Sequence, residues 1–377
     1  MPERVYLDHN ATSPLRPACR DAMLEAMSRP LNPSSVHAEG QAARALVDRA
    51  RRDVADAISA PRESVVFTSG GSEGDNAAIH GLVRGGPKVA RILVTATEHA
   101  AVHAAAGCCG VPIEIAPVDA GGVLDLAWLE RRAGELHAAG ESFLLCAMLA
   151  NNETGVIGPV AEAARIVRTR GGYVLCDAVQ ALFKIDLDFS SLGADVLVVS
   201  AHKAGGPIGV GAMVVTPGLA FDPLLKGGAQ ESYRRAGTHN VPGIAGFGEL
   251  ARTASPSDYD GLAARRDAME AALPEGTRVW GRGARRLPNT SCFTAPGFAS
   301  ERQLMGLDLA GFAISAGSAC SSGKTKPSPV LTAMGADEGA ARCAARVSTG
   351  WNTPEGAEAA FLAAWTNQFS RIARRAA

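Results

Sequence analysis

Residues 195–213 read DVLVVSAHKAGGPIGVGAM: a run of β-formers that stops at Ser200, the pair His202-Lys203, and then a glycine-rich return. The apolar run predicts a buried strand over 196–199, with Lys203 standing just past its carboxyl end. In an apolar setting a lysine there has a depressed pKa and serves as an amine nucleophile, although a lone His-Lys pair also fits an ordinary surface turn. The neighbouring sequence has to decide between the two.

Working outward, short apolar strands alternate with helical segments between residues 65 and 215, which is the pattern of a parallel sheet. Each strand ends in polar residues. The run 65–68 ends in Ser69-Gly70-Gly71-Ser72-Glu73, 92–95 in Glu98-His99, and 143–149 in Asn151-Asn152-Glu153-Thr154. The run 173–176 ends in Asp177-Ala178-Val179-Gln180, and 196–199 in Ser200-Ala201-His202-Lys203. Parallel strands bring their carboxyl ends to one edge of a sheet, so these five clusters are expected to converge on one cleft.

Before this region lie a short strand over 5–7, the polar turn Asp8-His9-Asn10-Ala11-Thr12, a helix over 16–27, the breaker Asn32-Pro33-Ser34-Ser35 and a long helix over about 38–58. After it come the glycine-rich loop GGAQESYRRAGTHN (227–240), an apolar helix around 244–252, and TASPSDYD (253–260), which reads as a domain linker. The remainder is α+β in texture. It has a helix over 261–273, strand-like runs at 278–280, 290–294 and 312–314, a glycine/serine-rich loop over 315–328, a further strand-like run at 345–347 and a final amphipathic helix around 355–372.

Length and composition narrow the class. A chain of 377 residues, net charge −1 and 47% hydrophobic residues suits a soluble protein of two to three domains. No basic excess marks a nucleic-acid surface, no polybasic run marks a membrane surface, and the longest apolar stretches are strand-sized. The start, MPERVYLDHN, carries charge where a signal peptide would place its apolar core, so a cytoplasmic protein is expected. The eight cysteines form no C-x-x-C, which argues for a reducing compartment and against a zinc site.

The strand-end clusters imply a particular chemistry. Ser69-Gly70-Gly71-Ser72 opens a helix directly after a strand, where backbone N–H groups and the helix dipole favour a phosphate. The motif is weak alone, lacking a Walker lysine and a dinucleotide spacing. Together with a strand-end aspartate and a strand-end lysine it becomes selective. Pyridoxal phosphate needs an anion site, a carboxylate that keeps its pyridine nitrogen protonated, and a lysine for its Schiff base. Asp177 and Lys203 fill the last two roles, though Asp177 also suits a helix N-cap. His99 is placed to stack on the ring or to cap a helix; Gln180 and Asn152 are hydrogen-bonding candidates; Arg346 is a candidate clamp for a substrate carboxylate, with a structural ion pair as its rival. Cys320, in ISAGSACSSGKTKPSP, lies in a stretch too rich in Gly, Ser and Pro to bury it, and an exposed thiolate is nucleophilic.

The combination TSGGSEGDN (68–76), EHAAV (98–102), NNETG (151–155), DAVQ (177–180), SAHK with GPIGVGA (200–212), RRAGT (234–238) and SAGSAC (315–320) resembles the cysteine desulfurases of the nitrogen-fixation and iron-sulfur-assembly type, within the class V aminotransferases. The resemblance runs from YLDHNAT and NPSS near the start to RVSTG at 346–350. It implies an α/β fold of the aspartate aminotransferase-like, PLP-dependent transferase type. A large domain over 16–252 would hold a mostly parallel sheet, and 1–15 with 253–377 would form a smaller α+β domain carrying the cysteine loop (about 315–328).

Roles follow from the resemblance at matching positions. Lys203 bonds the cofactor, Asp177 pairs with the pyridinium, Gln180 contacts the ring hydroxyl and His99 stacks on the ring. Gly71, Ser72, Ser200 and His202 hold the phosphate, with Thr238 reaching in from the second subunit of a homodimer. Asn152 and Arg346 hold the carboxylate of L-cysteine, and Cys320, on what resembles the family's mobile type of loop, accepts the sulfur as a persulfide for a sulfur-acceptor or iron-sulfur scaffold protein. Ile208 stands where relatives have a basic residue, Glu231-Ser232-Tyr233 replaces Glu-Arg-Gly, and the chain stops at Ala377; these differences bear on partner docking. Two alternatives remain: another class V enzyme, such as a selenocysteine lyase or an aminotransferase, and a non-catalytic nucleotide-binding α/β module.

Overall fold

In the computed structural model, which describes residues 4–30, 32–85, 89–316 and 327–376, Val196–Ser200 is a strand buried along its whole length. Its side chains alternate between two cores. Val196 and Val198 pack in a cluster with Ala77, Ile79 and Val102, while Leu197 and Val199 pack in another with Val47, Phe247 and Leu250. Burial on both faces explains why the run is continuously apolar instead of alternating.

Strand β1 (Val5–Tyr6) and helices α1 (Pro17–Met27) and α2 (Ala38–Ala57) precede a seven-stranded sheet. Its members are β2 (Val65–Thr68), β3 (Val89–Thr95), β4 (Ile113–Ala116), β5 (Ser142–Cys146), β6 (Tyr173–Asp177), β7 (Val196–Ser200) and β8 (Gly211–Val215), in the order β2-β8-β7-β6-β5-β3-β4. Helices α3 (Gly71–Gly85) and α4 (Ala100–Gly107) supply one core, and α2 with the helix Val241–Thr253 supplies the other.

Strand β8 runs antiparallel to both β7 and β2, and the other neighbouring strands are paired in parallel. Two reversals return β2 to the common direction, so the carboxyl ends of β2, β3, β5, β6 and β7 lie on one edge of the sheet. The parallel pattern in the sequence did not foresee β8. Its physical cause is the short return over 201–210, since a parallel neighbour needs a crossover of a dozen or more residues. Strand β4 also escaped the sequence reading, because it is an edge strand whose Ile113 and Ile115 stay exposed.

Two smaller sheets complete the chain. β9 (Arg278–Val279) and β10 (Thr290–Thr294) belong to one, and β11 (Phe312–Ala313) pairs in parallel with β1 in the other. β12 (Ala344–Ser348) joins the first, antiparallel to β10. Phe293, Phe298, Phe361 and Trp365 form the third core, with Trp365 edge-on to Phe293 at 5.3 Å between ring centroids. The turn after β1 is carried over the edge of the large sheet: His9 N donates to Ser348 O at 3.0 Å and Ser13 N to His202 O at 2.8 Å. Among the described residues no helix is long and apolar enough to cross a membrane.

Candidate active site

The edge where five strands end holds an anion cradle, a group of buried carboxylates and two lysines. The cradle lies between β2 and β7. Helix α3 begins at Gly71, and Ser69 N donates to Glu73 Oε2 at 2.8 Å across its first turn. A side chain at Gly71 would come within 2.8 Å of Val179 Cγ2, and one at Gly211 within 2.6 Å of Val199 O, so these glycines let the backbone segments close up. Ser200 Oγ is buried and has no hydrogen-bond partner among the described residues, and it lies 3.7 Å from where Gly70 would carry a Cβ. Buried hydroxyls are ordinarily paired, so an unpaired one beside a helix N-terminus fits a phosphate. His202 adjoins it, with Nδ1 3.1 Å from Thr12 Oγ1. Burial first, then the charges of Lys203 and Lys184, lower its pKa to about 4, so it is a neutral donor or acceptor at neutral pH.

At the end of β6, Asp177 Oδ1 accepts the Val179 N–H at 2.9 Å. Its second oxygen makes no hydrogen bond among the described residues. Burial raises the Asp177 carboxyl above its ordinary value, opposed by the Val179 N–H and by the charges of His99 and Lys203. Glu98 and Asp75 are buried near it, both pushed well up by burial and then by the charge of Asp177. Glu98 Oε1 accepts the Met148 N–H at 2.6 Å, while Glu98 Oε2 and Asp75 Oδ1 are unpaired. With one oxygen unspent, the Asp177 carboxylate favours a cation in front of it, which is what a protonated pyridine ring provides. His99 caps α4, its Nδ1 accepting Ala101 N–H at 3.1 Å, and this fixes the proton on Nε2. Both sequence readings of His99, cap and ring neighbour, are therefore compatible in one side chain.

Lys203 follows β7 and points back at the turn after β1. Its Nζ donates to the carbonyls of Asn10 at 2.8 Å and Ala11 at 2.9 Å. Burial and then the charge of Arg346 lower its pKa to about 8, with Asp177 and Asp8 acting in the opposite direction. Gln180 Nε2 donates to the same Asn10 carbonyl at 2.9 Å, and Gln180 Oε1 accepts from Lys184 Nζ at 2.7 Å.

Arg346, on β12, is brought to the opening of this site. Nη2 pairs with Asp8 Oδ1 at 2.7 Å, Nη1 donates to Asn152 O at 3.1 Å, and buried Nε has no partner among the described residues. The ion pair does not use up the guanidinium: Asp8 holds one edge of it, and its buried Nε is unspent among the described residues. The side-chain amide of Asn152 makes no hydrogen bond among the described residues, so it too has capacity for a ligand. Cys320 lies outside the described residues. The positions that flank that segment are tied to the site, with Ser315 Oγ donating to Asp8 Oδ2 at 2.8 Å and Ser328 Oγ to Glu153 Oε2 at 2.5 Å. Thr238 is exposed, on a loop rooted by the Arg235–Glu73 ion pair at 2.8 Å.

The sequence reading missed Asp8 and Asn10 as members of the site, together with Lys184 and Asp75, and placed Glu98 at the cleft without giving it a role. A usable signal existed for Lys184, a single cation in the apolar run ALFKI four residues after Gln180.

The aminotransferase class-V family model matches residues 5–357. A cysteine desulfurase from Cereibacter sphaeroides is 40% identical over 363 residues, covering 93% of this chain and 92% of that one. The cysteine desulfurase IscS of Dictyoglomus turgidum is 37% identical over 348 residues, covering 89% and 86%. Among solved structures, a NifS-like protein from Rickettsia africae superposes with a TM-score of 0.88 at 29% identity, covering 98% of this chain and 100% of that one.

Proposed function

The chain belongs to the class V aminotransferase family and, within it, to the cysteine desulfurases, and from that membership we propose how its residues divide the reaction. It is a pyridoxal-phosphate enzyme that converts L-cysteine to L-alanine and hands on the sulfur. When bound, the cofactor supplies an electron-withdrawing ring that stabilises negative charge at the substrate α-carbon.

The protein supplies everything else. Ser200, Gly71, Ser72 and His202 hold the phosphate; Asp177 keeps the ring nitrogen protonated; His99 covers the ring; Gln180 donates to its hydroxyl oxygen. Lys203 bonds the cofactor and moves the α-proton. A lysine with a pKa near 8 has a useful fraction of free amine at neutral pH, about two orders of magnitude more than an ordinary one. Asn152 and Arg346 orient the substrate carboxylate. Cys320 takes the sulfur: its thiolate forms the new S–S bond as the substrate Cβ–S bond breaks, and the electron pair left on carbon takes a proton to give alanine.

The same reading includes a homodimer, with exposed Thr238 completing the phosphate site of the partner subunit, a cytoplasmic location, and a protein acceptor for the persulfide in iron-sulfur or related sulfur transfer. The large domain is assigned to 16–252 and the smaller one to 1–15 with 253–377.

The observation that carries this proposal is the placement of Ser200, Lys203 and Asp177 at the carboxyl ends of adjacent strands β6 and β7. It is tested by absorption. The purified chain should show a visible cofactor band that Lys203→Ala abolishes; a colourless protein that stays colourless with added pyridoxal phosphate would contradict it.

A further inference from the structure

Lys184 lies four residues beyond Gln180 in the turns that follow β6, and is buried with 2% exposure. Its Nζ donates to Asn10 Oδ1 at 2.9 Å and to Gln180 Oε1 at 2.7 Å, and no carboxylate forms a salt bridge with it among the described residues. A buried lysine satisfied only by neutral oxygens is costly, since burial and the charges of Lys203 and Arg346 all disfavour its charged form. Nothing in the reaction described above uses it.

Its hydrogen bonds give it a use. A glutamine amide has an acceptor end and a donor end that the same pocket can accommodate in either orientation. For Gln180 both ends are set. The lysine nitrogen donates to one end, which must be oxygen, and the Asn10 carbonyl only accepts, so the other end must be nitrogen. A neutral Lys184 amine has two hydrogens for its two acceptors but also a lone pair, so the lock is complete when its nitrogen donates to Gln180 Oε1, as it does here. One N–H of Gln180 Nε2 is used on Asn10 O; the second is unspent. Lys203 Nζ sits 2.8 Å from that same carbonyl oxygen, so the unspent N–H lies beside the amine that bonds the cofactor. In pyridoxal phosphate the phenolic oxygen is on the ring carbon next to the one bearing the aldehyde.

We propose that Lys184 is a positioning residue that fixes the side-chain amide of Gln180 with its N–H group, and not its carbonyl, toward the phenolic oxygen of the cofactor. The inference rests on the cofactor reading above. Without Lys184 the acceptor end of the amide loses its donor and only the Asn10 carbonyl holds the side chain in place, and a carbonyl facing an anionic oxygen is repulsive where an N–H is attractive.

The test uses the holoenzyme and the pH titration of its visible band. A donor to the phenolic oxygen favours the deprotonated form of the chromophore, so Gln180→Ala should raise the titration midpoint by roughly one pH unit. Lys184→Met should raise it by a similar amount, and the double variant should shift no further than either single one. A purely structural role predicts lower thermal stability of the apo chain with an unmoved midpoint. An unmoved Lys184→Met beside a shifted Gln180→Ala, or additive shifts in the double variant, would overturn the assignment. If Lys184→Met gives no folded holoenzyme, Lys184→Arg, whose head group also only donates, must titrate as wild type; a shift equal to that of Gln180→Ala would overturn it. A wild-type chain with no visible band sinks the cofactor reading itself, which is a distinct result.

Discussion

Lys203 and Gln180, from two neighbouring strand ends, donate to one oxygen, the backbone carbonyl of Asn10, at 2.8 and 2.9 Å. That oxygen belongs to the turn after β1, which is held down by Ser348 through His9 N and Asn10 N. Lys203, the lysine proposed to bond the cofactor, is therefore positioned by a segment almost two hundred residues away in sequence.

The Asn10 side chain is the first target. It accepts from Lys184 Nζ and Asn289 Nδ2 and donates to Thr290 Oγ1 at 2.9 Å. Asn10→Ala leaves buried donors unpaired and should cost about 2–3 kcal/mol of folding stability, read from urea unfolding of the apo chain. It should also weaken retention of the cofactor, measured by dialysis.

The depressed pKa of Lys203 sets the pH dependence of cofactor capture. Only the neutral amine attacks an aldehyde, so the rate at which apo chain takes up pyridoxal phosphate should rise with pH through about 8 and then level off. An ordinary lysine would still be rising near pH 10. Stopped-flow absorbance across this range separates the two.

Glu98 gives a prediction of opposite sign for stability. Its folded pKa is raised, so above the ordinary carboxylate range the folded chain holds a proton that the unfolded chain has released. Stability should therefore fall as pH rises from about 4.3 toward the folded value, and Glu98→Gln should flatten that slope. The glutamine keeps an oxygen for the Met148 N–H, so apo stability at pH 8 should be equal to or above that of wild type.

Glu231 accepts from both Arg51 nitrogens at 2.6 and 2.8 Å, from Phe67 N at 3.0 Å and lies 2.7 Å from His239 Nε2. It fastens a segment in which Glu231, Ser232 and Tyr233 all have left-handed φ angles of 47°, 52° and 64°. Arg51→Ala leaves the buried carboxylate without its main partner and should lower stability by about 3 kcal/mol. Tyr233→Gly, at a conformation glycine adopts without strain, should instead be tolerated in the same unfolding assay.

Much of this was legible in the sequence because the strands are buried on both faces. Val196 to Val199 can only be a central strand, and the polar residues closing five such runs had to meet at one edge. Lys203, Asp177 and the Ser69–Ser72 turn could therefore be placed on one edge from the sequence, while the roles expected of them came from their combination and from the family resemblance. Three kinds of feature were not. β4 hides because its outer face stays wet, and β8 hides because a short glycine return reverses a strand without changing its apolar pattern. Asn10, Asp8 and Lys184 hide because their partners are set by tertiary closure: the Asp8–Arg346 pair spans 338 residues. Glu98 and Asp75 are disguised by their charge, since carboxylates in sequence read as surface until the fold buries them.

The most direct measurement of the central claim is a single turnover of the holoenzyme with L-cysteine in the absence of added thiol, with alanine quantified and the peptide bearing Cys320 weighed by mass spectrometry. The expected result is alanine in amount matching the protein, one extra sulfur atom on that peptide, and neither in Cys320→Ala despite an unchanged visible band. Alanine formed by Cys320→Ala in the wild-type amount under the same single-turnover conditions, with no added thiol, would contradict it.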